Sequence, residues 1–417
     1  MSRSADSGHF FQTSTALSES ARKAEKAKNE LGAPIKLPSK LLAVAADPLD
    51  DAAAVYVAEA AGNVKRVVLQ TGEVTHRFDG PAAPLTSLAL LPKARLVAAG
   101  CWDKSVWLWP LPSTTTITTP AAPSSTSTTP STTPGTKDKK KPTPIASVGR
   151  LTGAHTDFVK TLLATSIGGL DVLVSGGSDA AIVVWDVAQR APLYKLKGHA
   201  RGVLALALDP AGYTTRLAKQ TPAVTVLSAG SDREIRAWQL ERGAGREIPD
   251  VAPLVRHDTS VDALYFDADD DLWTASADRS AKCLSRARAW QPDTTLAHPD
   301  FVRDVVVDEA GGWVVTACRD EDVRVWEKAA GRLHHTFAGH YEEVTGLLLL
   351  PGQRLVSVSI DRTVRQWSLK AQDLKGAIEE AELLKQGKPR ESEDEKKEIE
   401  LDEDEERELA ELMEDDD

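Results

Sequence analysis

Four residue types recur together along this chain: a histidine, a serine or threonine, an aspartate and a tryptophan. Histidine with a hydroxyl and a carboxylate is the makeup of a nucleophilic triad, in which imidazole takes the hydroxyl proton and the carboxylate orients the ring. His199, Ser228 and Asp232 form such a set, as do His155, Ser175 and Asp179; His298, Thr316 and Asp320; and His340, Ser357 and Asp361. An active site occurs once, so a constellation repeated in register reads as a folding device. Six positions after each aspartate stands Trp185, Trp238, Trp326 or Trp367. Indole, hydroxyl, imidazole and carboxylate can then satisfy one another, leaving no buried polar group unpaired. No GxSxG elbow, phosphate-binding loop, HExxH or GxGxxG is present, so neither enzymatic activity nor a metal or cofactor is expected.

The elements that must position these residues follow from their spacing. Each histidine precedes by four residues an apolar position that opens a strand: Val159, Val203, Val302 or Val344. A fifth set, His257, Thr274 and Asp278 before Val261, carries Leu284 in place of tryptophan. Asp103 and Trp109 mark a further repeat with Pro81 and Ala99 replacing histidine and serine, and an earlier one runs from Leu41 through Gly62. Uninterrupted spacing is about 42 residues, the length of one four-stranded blade. The pattern resembles the WD40 (β-transducin) repeat, and the resemblance implies an all-β, seven-bladed β-propeller over residues 34–370. It also implies that each set of four types is a hydrogen-bonded relay inside its blade. The last blade lacks an outer strand after Trp367, so ring closure requires one from Pro34–Leu37 or from His9–Thr13.

Outside the repeats, residues 1–33 read as a partly helical extension and residues 371–417 as an acidic, partly helical tail. Net charge is −12. The tail alone carries 21 Asp and Glu against 7 Lys and Arg, which leaves the remainder near neutral. A near-neutral ring has no basic stripe for phosphates, so direct nucleic-acid contact is not expected. Within the tail, Leu409, Leu412 and Met413 share one helical face that suits a basic partner. No apolar run long enough to cross a membrane occurs. The three cysteines make no CxxC, and they suit a reducing compartment, cytoplasmic or nuclear.

In propellers of this family, recognition commonly uses three places per blade around the central opening: either side of the first inner-strand residue, and just before the turn aspartate. Carried over, these places hold Trp102, Phe158, Lys160, Asp262, Phe301, Arg303, Arg319, Glu343 and Ile360. Aromatic and arginine side chains dominate interface hot spots, so these nine are the candidate protein-binding site. The resulting expectation is a non-catalytic scaffold or adaptor that binds a peptide or helix on the ring face. Alternatives are an accessory subunit of a tRNA methyltransferase type, an escort of basic proteins such as histones, and a ubiquitin-ligase substrate receptor.

Between Trp109 and Trp185 lies a Ser/Thr/Pro tract, residues 113–144, with almost no apolar content to offset its ordering entropy. It reads as a disordered loop. Replacing it with a short Gly/Ser linker is expected to leave the melting temperature unchanged; a lower and less cooperative transition would show that the tract packs.

Overall fold

The computed structural model describes residues 14–50, 53–112, 141–212, 222–249, 251 and 253–385. Seven mainly antiparallel sheets follow one another along the chain, each built around three or four consecutive strands. Their inner strands are Leu41–Ala46, Leu85–Leu91, Val159–Ile167, Val203–Leu208, Val261–Phe266, Val302–Asp308 and Val344–Leu350. Each packs against the next, and the last packs against the first, so the sheets close into a seven-bladed propeller.

Burial is greatest in the middle of each blade. Middle strands such as Ala54–Glu59 and Ala181–Asp186 are buried along their whole length, because each faces a neighbouring blade on both sides. Outer strands such as Gln291–Ala297 mostly alternate exposed with half-buried residues. The core is therefore a set of inter-blade layers. Ala89, Leu91 and Ala98 of blade 2 pack with Leu162, Val183 and Trp185 of blade 3. Leu41, Val55 and Val67 of blade 1 meet Val356, Val358 and Val364 of blade 7.

Two local devices recur. In all seven inner strands the register shifts between the first and third residues, so the second residue sits in a β-bulge. In blades 2 to 7 the residue after the turn aspartate has positive φ: Lys104, Ala180, Arg233, Arg279, Glu321 and Arg362. Blade 1 uses Gly62 there, where an added Cβ would lie 2.5 Å from the Pro81 carbonyl oxygen.

Closure uses the first of the two candidate segments. Ile35 and Lys36 pair antiparallel with Val364 and Thr363 as the outer strand of blade 7. Residues 9–13 lie outside the described residues. Just upstream, Asn29 Oδ1 accepts a 2.9 Å hydrogen bond from Arg365, and the Leu31 carbonyl oxygen accepts another from it. Arg365 is fully buried, and burial lowers its pKa from the usual arginine value. Helix α1 (Ser14–Lys26) precedes this segment.

The Ser/Thr/Pro tract, expected to run to about residue 144, gives way to a strand near that point. Thr143–Ala146 is a strand that runs parallel to Val74–Asp79 on the outer edge of blade 1. The chain then crosses to blade 2, where Gly149–Leu151 is the outer strand. The loop therefore stops short of residue 144, and residues 113–140 lie outside the described residues. Helix α2 (Ala371–Lys385) belongs to a second compact unit, Leu369–Asp417. Leu409, Leu412 and Met413 also lie outside the described residues. No helix among the described residues is long and apolar enough to cross a membrane.

Because Arg365 Nε has no hydrogen-bond partner, the Asn29 carboxamide is one of few groups compensating a buried charge. Asn29→Ala is expected to cost about 1–3 kcal/mol, measured by chemical denaturation. Stability equal to that of the parent would show that closure does not rely on this contact.

The blade relays and the candidate ring-face interface

Three blades close the relay completely. In blade 4, Trp238 Nε1 donates to Ser228 Oγ at 2.7 Å, Ser228 Oγ lies 2.7 Å from His199 Nε2, and His199 Nδ1 lies 2.9 Å from Asp232. A neutral imidazole protonated at Nδ1 satisfies all these groups at once: the hydroxyl donates to Nε2 and Nδ1 donates to the carboxylate. Blade 3 repeats the geometry with Trp185, Ser175, His155 and Asp179. Blade 7 does so with Trp367, Ser357, His340 and Asp361. Burial lowers the pKa of His155, His199 and His340 despite their carboxylate partners, which favours the neutral ring. Burial alone would raise Asp232, but His199 and the Ala200 N–H outweigh it and hold the carboxyl below its ordinary value. Every hydroxyl here is bonded on both sides inside its blade, so none is presented to a substrate.

The other blades vary. In blade 5, His257 meets Asp278 and Thr274 at 2.8 and 2.7 Å, with Leu284 where the indole would stand. In blade 2, Trp109 Nε1 donates to the Asp79 carbonyl oxygen, and Asp103 accepts from Trp107. Blade 6 corrects the expected set. Trp326, Thr316 and His298 are linked, but His298 Nδ1 donates to the Leu296 carbonyl oxygen at 3.0 Å instead of to Asp320. Asp320 is held by both terminal nitrogens of Arg324, at 3.0 and 2.6 Å. A bidentate, charge-assisted pair outcompetes a neutral imidazole donor. Arginines also stand at this position in blades 4 and 7, but Arg236 is drawn off by Glu234 and Glu247, and Arg365 by Asn29 and Leu31.

The ring-face candidates separate into two groups. Trp102 stacks on Phe158 with ring centroids 4.9 Å apart and planes 11° apart, and Lys160 Nζ sits 5.3 Å from the Trp102 ring and 5.8 Å from Phe158. Trp102 remains 38% exposed, a large apolar surface left in water. Burial lowers the pKa of Lys160. Counted around the ring, blade 6 is about as far from this pair as the fold allows. There Arg319 lies over Phe301 at 5.1 Å, and Arg303 bonds to Asp262 of blade 5 at 2.8 Å and to Glu343 of blade 7. The charged trio ties three blades together, and burial raises the Asp262 pKa in spite of Arg303. Ile360 is half-buried, with its N–H on the Glu343 carbonyl oxygen at 3.2 Å. Among the described contacts none joins the two groups, so the nine candidates fall in two patches.

Lys160, Asp262 and Arg303 are the bulged second residues of their inner strands, and a bulge re-aims a side chain. At the same place Thr86 and Thr345 donate to the carbonyl oxygens of Val159 and Leu41 in adjacent blades, at 2.6 and 3.0 Å. Two features escaped the sequence reading. Asp304 accepts the Leu347 N–H of blade 7 at 2.8 Å, and burial raises its pKa to about 6. Glu321, Asp322 and Glu342 engage helix α1. Acidic residues one position after a turn aspartate carry no periodic signal, although Glu321 is the one acidic residue at that place.

A closed ring of seven blades, three of them stapled by a complete relay, defines a β-propeller. The chain matches the family model described as WD domain, G-beta repeat over residues 72–110, 190–239, 290–327 and 331–368. It is 31% identical over 374 residues to an uncharacterized WD repeat-containing protein of Schizosaccharomyces pombe, covering 87% of this chain and 88% of that one. Shorter matches include nuclear distribution protein nudF of Aspergillus niger, 28% identical over 48% of this chain and 47% of that protein. Pre-mRNA-processing factor 19 of Caenorhabditis elegans is 26% identical over 42% of this chain and 33% of its own length. The chain belongs to the WD40-repeat family, whose general function is as a scaffold for protein–protein interaction.

Burial lowers the pKa of His298 from 6.5 to about 4. A histidine with a lowered folded-state value adds stability above its unfolded value and loses it as pH falls toward the folded one. The stability advantage of the parent over His298→Gln should therefore be constant above pH 7 and shrink between pH 6.5 and about 4. Denaturation of both proteins across this range checks it, and an advantage that grows on acidification contradicts the assignment.

Proposed function

We propose that this protein is an adaptor whose partner docks on the ring face at the Trp102, Phe158 and Lys160 patch. The observation that carries the reading is Trp102, more than a third exposed and stacked on Phe158 beneath a lysine. Exposed aromatic surface with one adjacent cation suits a peptide or helix that lays an apolar side chain on the indole and a carboxylate beside Lys160. Phe301 with Arg319 supplies a second foothold across the opening for a partner of mixed charge. The trio of Asp262, Arg303 and Glu343 ties blades 5, 6 and 7 together beside that second foothold. The acidic tail serves as an accessory contact for basic proteins, with the cytoplasm or nucleus as the place of action. The readings as a methyltransferase subunit, a histone escort or a ubiquitin-ligase receptor differ in which protein the patch captures.

Affinity capture with quantitative mass spectrometry, using parent and variant full-length baits, tests this. Trp102→Ala and Lys160→Glu should each reduce the principal captured protein by roughly tenfold, about 1.4 kcal/mol, without shifting the melting temperature. Removing residues 388–417 should weaken capture less, and chiefly at low salt. Loss of capture on tail removal, with both rim variants binding normally, would refute the ring-face site.

A further inference from the structure

The turn of blade 6 is unlike its counterparts. The residue after the turn aspartate is Lys104, Ala180, Arg233, Arg279 or Arg362 in five blades and Glu321 in the sixth. Glu321 has positive φ, a conformation that favours glycine or asparagine, so its side chain is not there for the turn's sake. Asp320 has left His298 for Arg324, and the tip of this turn meets helix α1.

Both Glu321 carboxylate oxygens are taken by Arg22, at 2.9 and 2.7 Å, and Lys26 Nζ adds a third contact at 3.0 Å. Lys26 also reaches Asp322 at 3.3 Å, and Lys23 pairs with Glu342 of blade 7 at 3.0 Å. Arg22, Lys23 and Lys26 fall on one face of the helix, at i, i+1 and i+4. Although burial would raise the Glu321 pKa, Arg22 and Lys26 hold it below the ordinary glutamate value.

The helix is fastened by charge. Its described side chains add nothing to the buried core: Leu17 is 50% exposed, and the Arg22 side chain 52%. Partly solvated ion pairs are individually weak and screened by salt. The segment from Asn29 onward is instead tied into blade 7 by hydrogen bonds from the buried Arg365 and by strand pairing. The helix can therefore leave while the ring stays closed.

We infer that Glu321, Asp322 and Glu342 form a docking site for a basic helix, filled in cis by α1 and open to exchange with a similar helix of a partner. This site stands apart from the Trp102 patch and does not depend on it. The helix seated there in cis defines the ligand class: a helix with cations at i, i+1 and i+4.

The test uses a fluorescein-labelled peptide of residues 14–28 as probe and full-length protein in every arm, read by fluorescence anisotropy. Arg22→Glu combined with Lys26→Glu displaces the internal helix. That variant should bind the peptide at least roughly tenfold more tightly than the parent does, with affinity falling steeply between about 50 and 500 mM salt. Adding Glu321→Gln should abolish the gain, and adding Glu342→Gln should reduce it; the second substitution serves if the first perturbs folding. Equal binding by parent and double variant would show that α1 does not occupy the site. No binding by the double variant, or binding insensitive to both glutamate changes, would show that the notch is not a helix site.

Discussion

Closure of the ring is the constraint on which everything else in this molecule rests. Each blade buries its apolar faces only against its two neighbours, so an open ring would leave two large faces in water. The closing layer sets Leu41, Val55 and Val67 against Val356, Val358 and Val364, and it persists because Ile35 and Lys36 cover the edge of the last blade. An unpaired outer strand there would be both a weak point and an aggregation template. The closing segment also carries the acceptors that compensate buried Arg365, which couples the hydrophobic seal to a polar one.

Inside the blades, stability and specificity meet in the relay. A buried imidazole, hydroxyl and carboxylate would each be costly alone, and their mutual bonding removes that cost while fixing the turn that the aspartate caps. The same groups that would make a nucleophile are thereby consumed. Blade 6 shows how finely such a network is balanced. There Arg324 holds Asp320, and His298 bonds a backbone carbonyl instead, while Trp326 and Thr316 keep the bonds seen in the complete relays.

The repeated bulge gives each blade one position outside the demands of the core. By turning the second inner-strand residue aside, it gives every blade one side chain near the opening whose identity the core does not dictate. Two blades use threonine there to bond a neighbour, two use Asp262 and Arg303 to join into an ion-paired rim, and one places Lys160 over exposed aromatics. These are positions whose identity the fold leaves free.

The sequence by itself determined the blade count, the strand order and the residue types of each relay, because these depend on spacing within one repeat and on burial patterns of period two. It also pointed to Pro34–Leu37 as one of two segments able to close the ring. Tertiary structure alone decided which partner each charged group takes. Arg236, Arg324 and Arg365 all stand four residues after a turn aspartate, yet only Arg324 takes that aspartate, while Arg236 pairs with Glu247 and Arg365 with Asn29, a choice that identical spacing cannot make. It likewise split the aromatic and arginine candidates into two patches, since distance around a ring depends on how many blades intervene. And it set the cations of α1 on Glu321, nearly 300 residues away in sequence, where only a closed ring brings the first helix against the sixth blade.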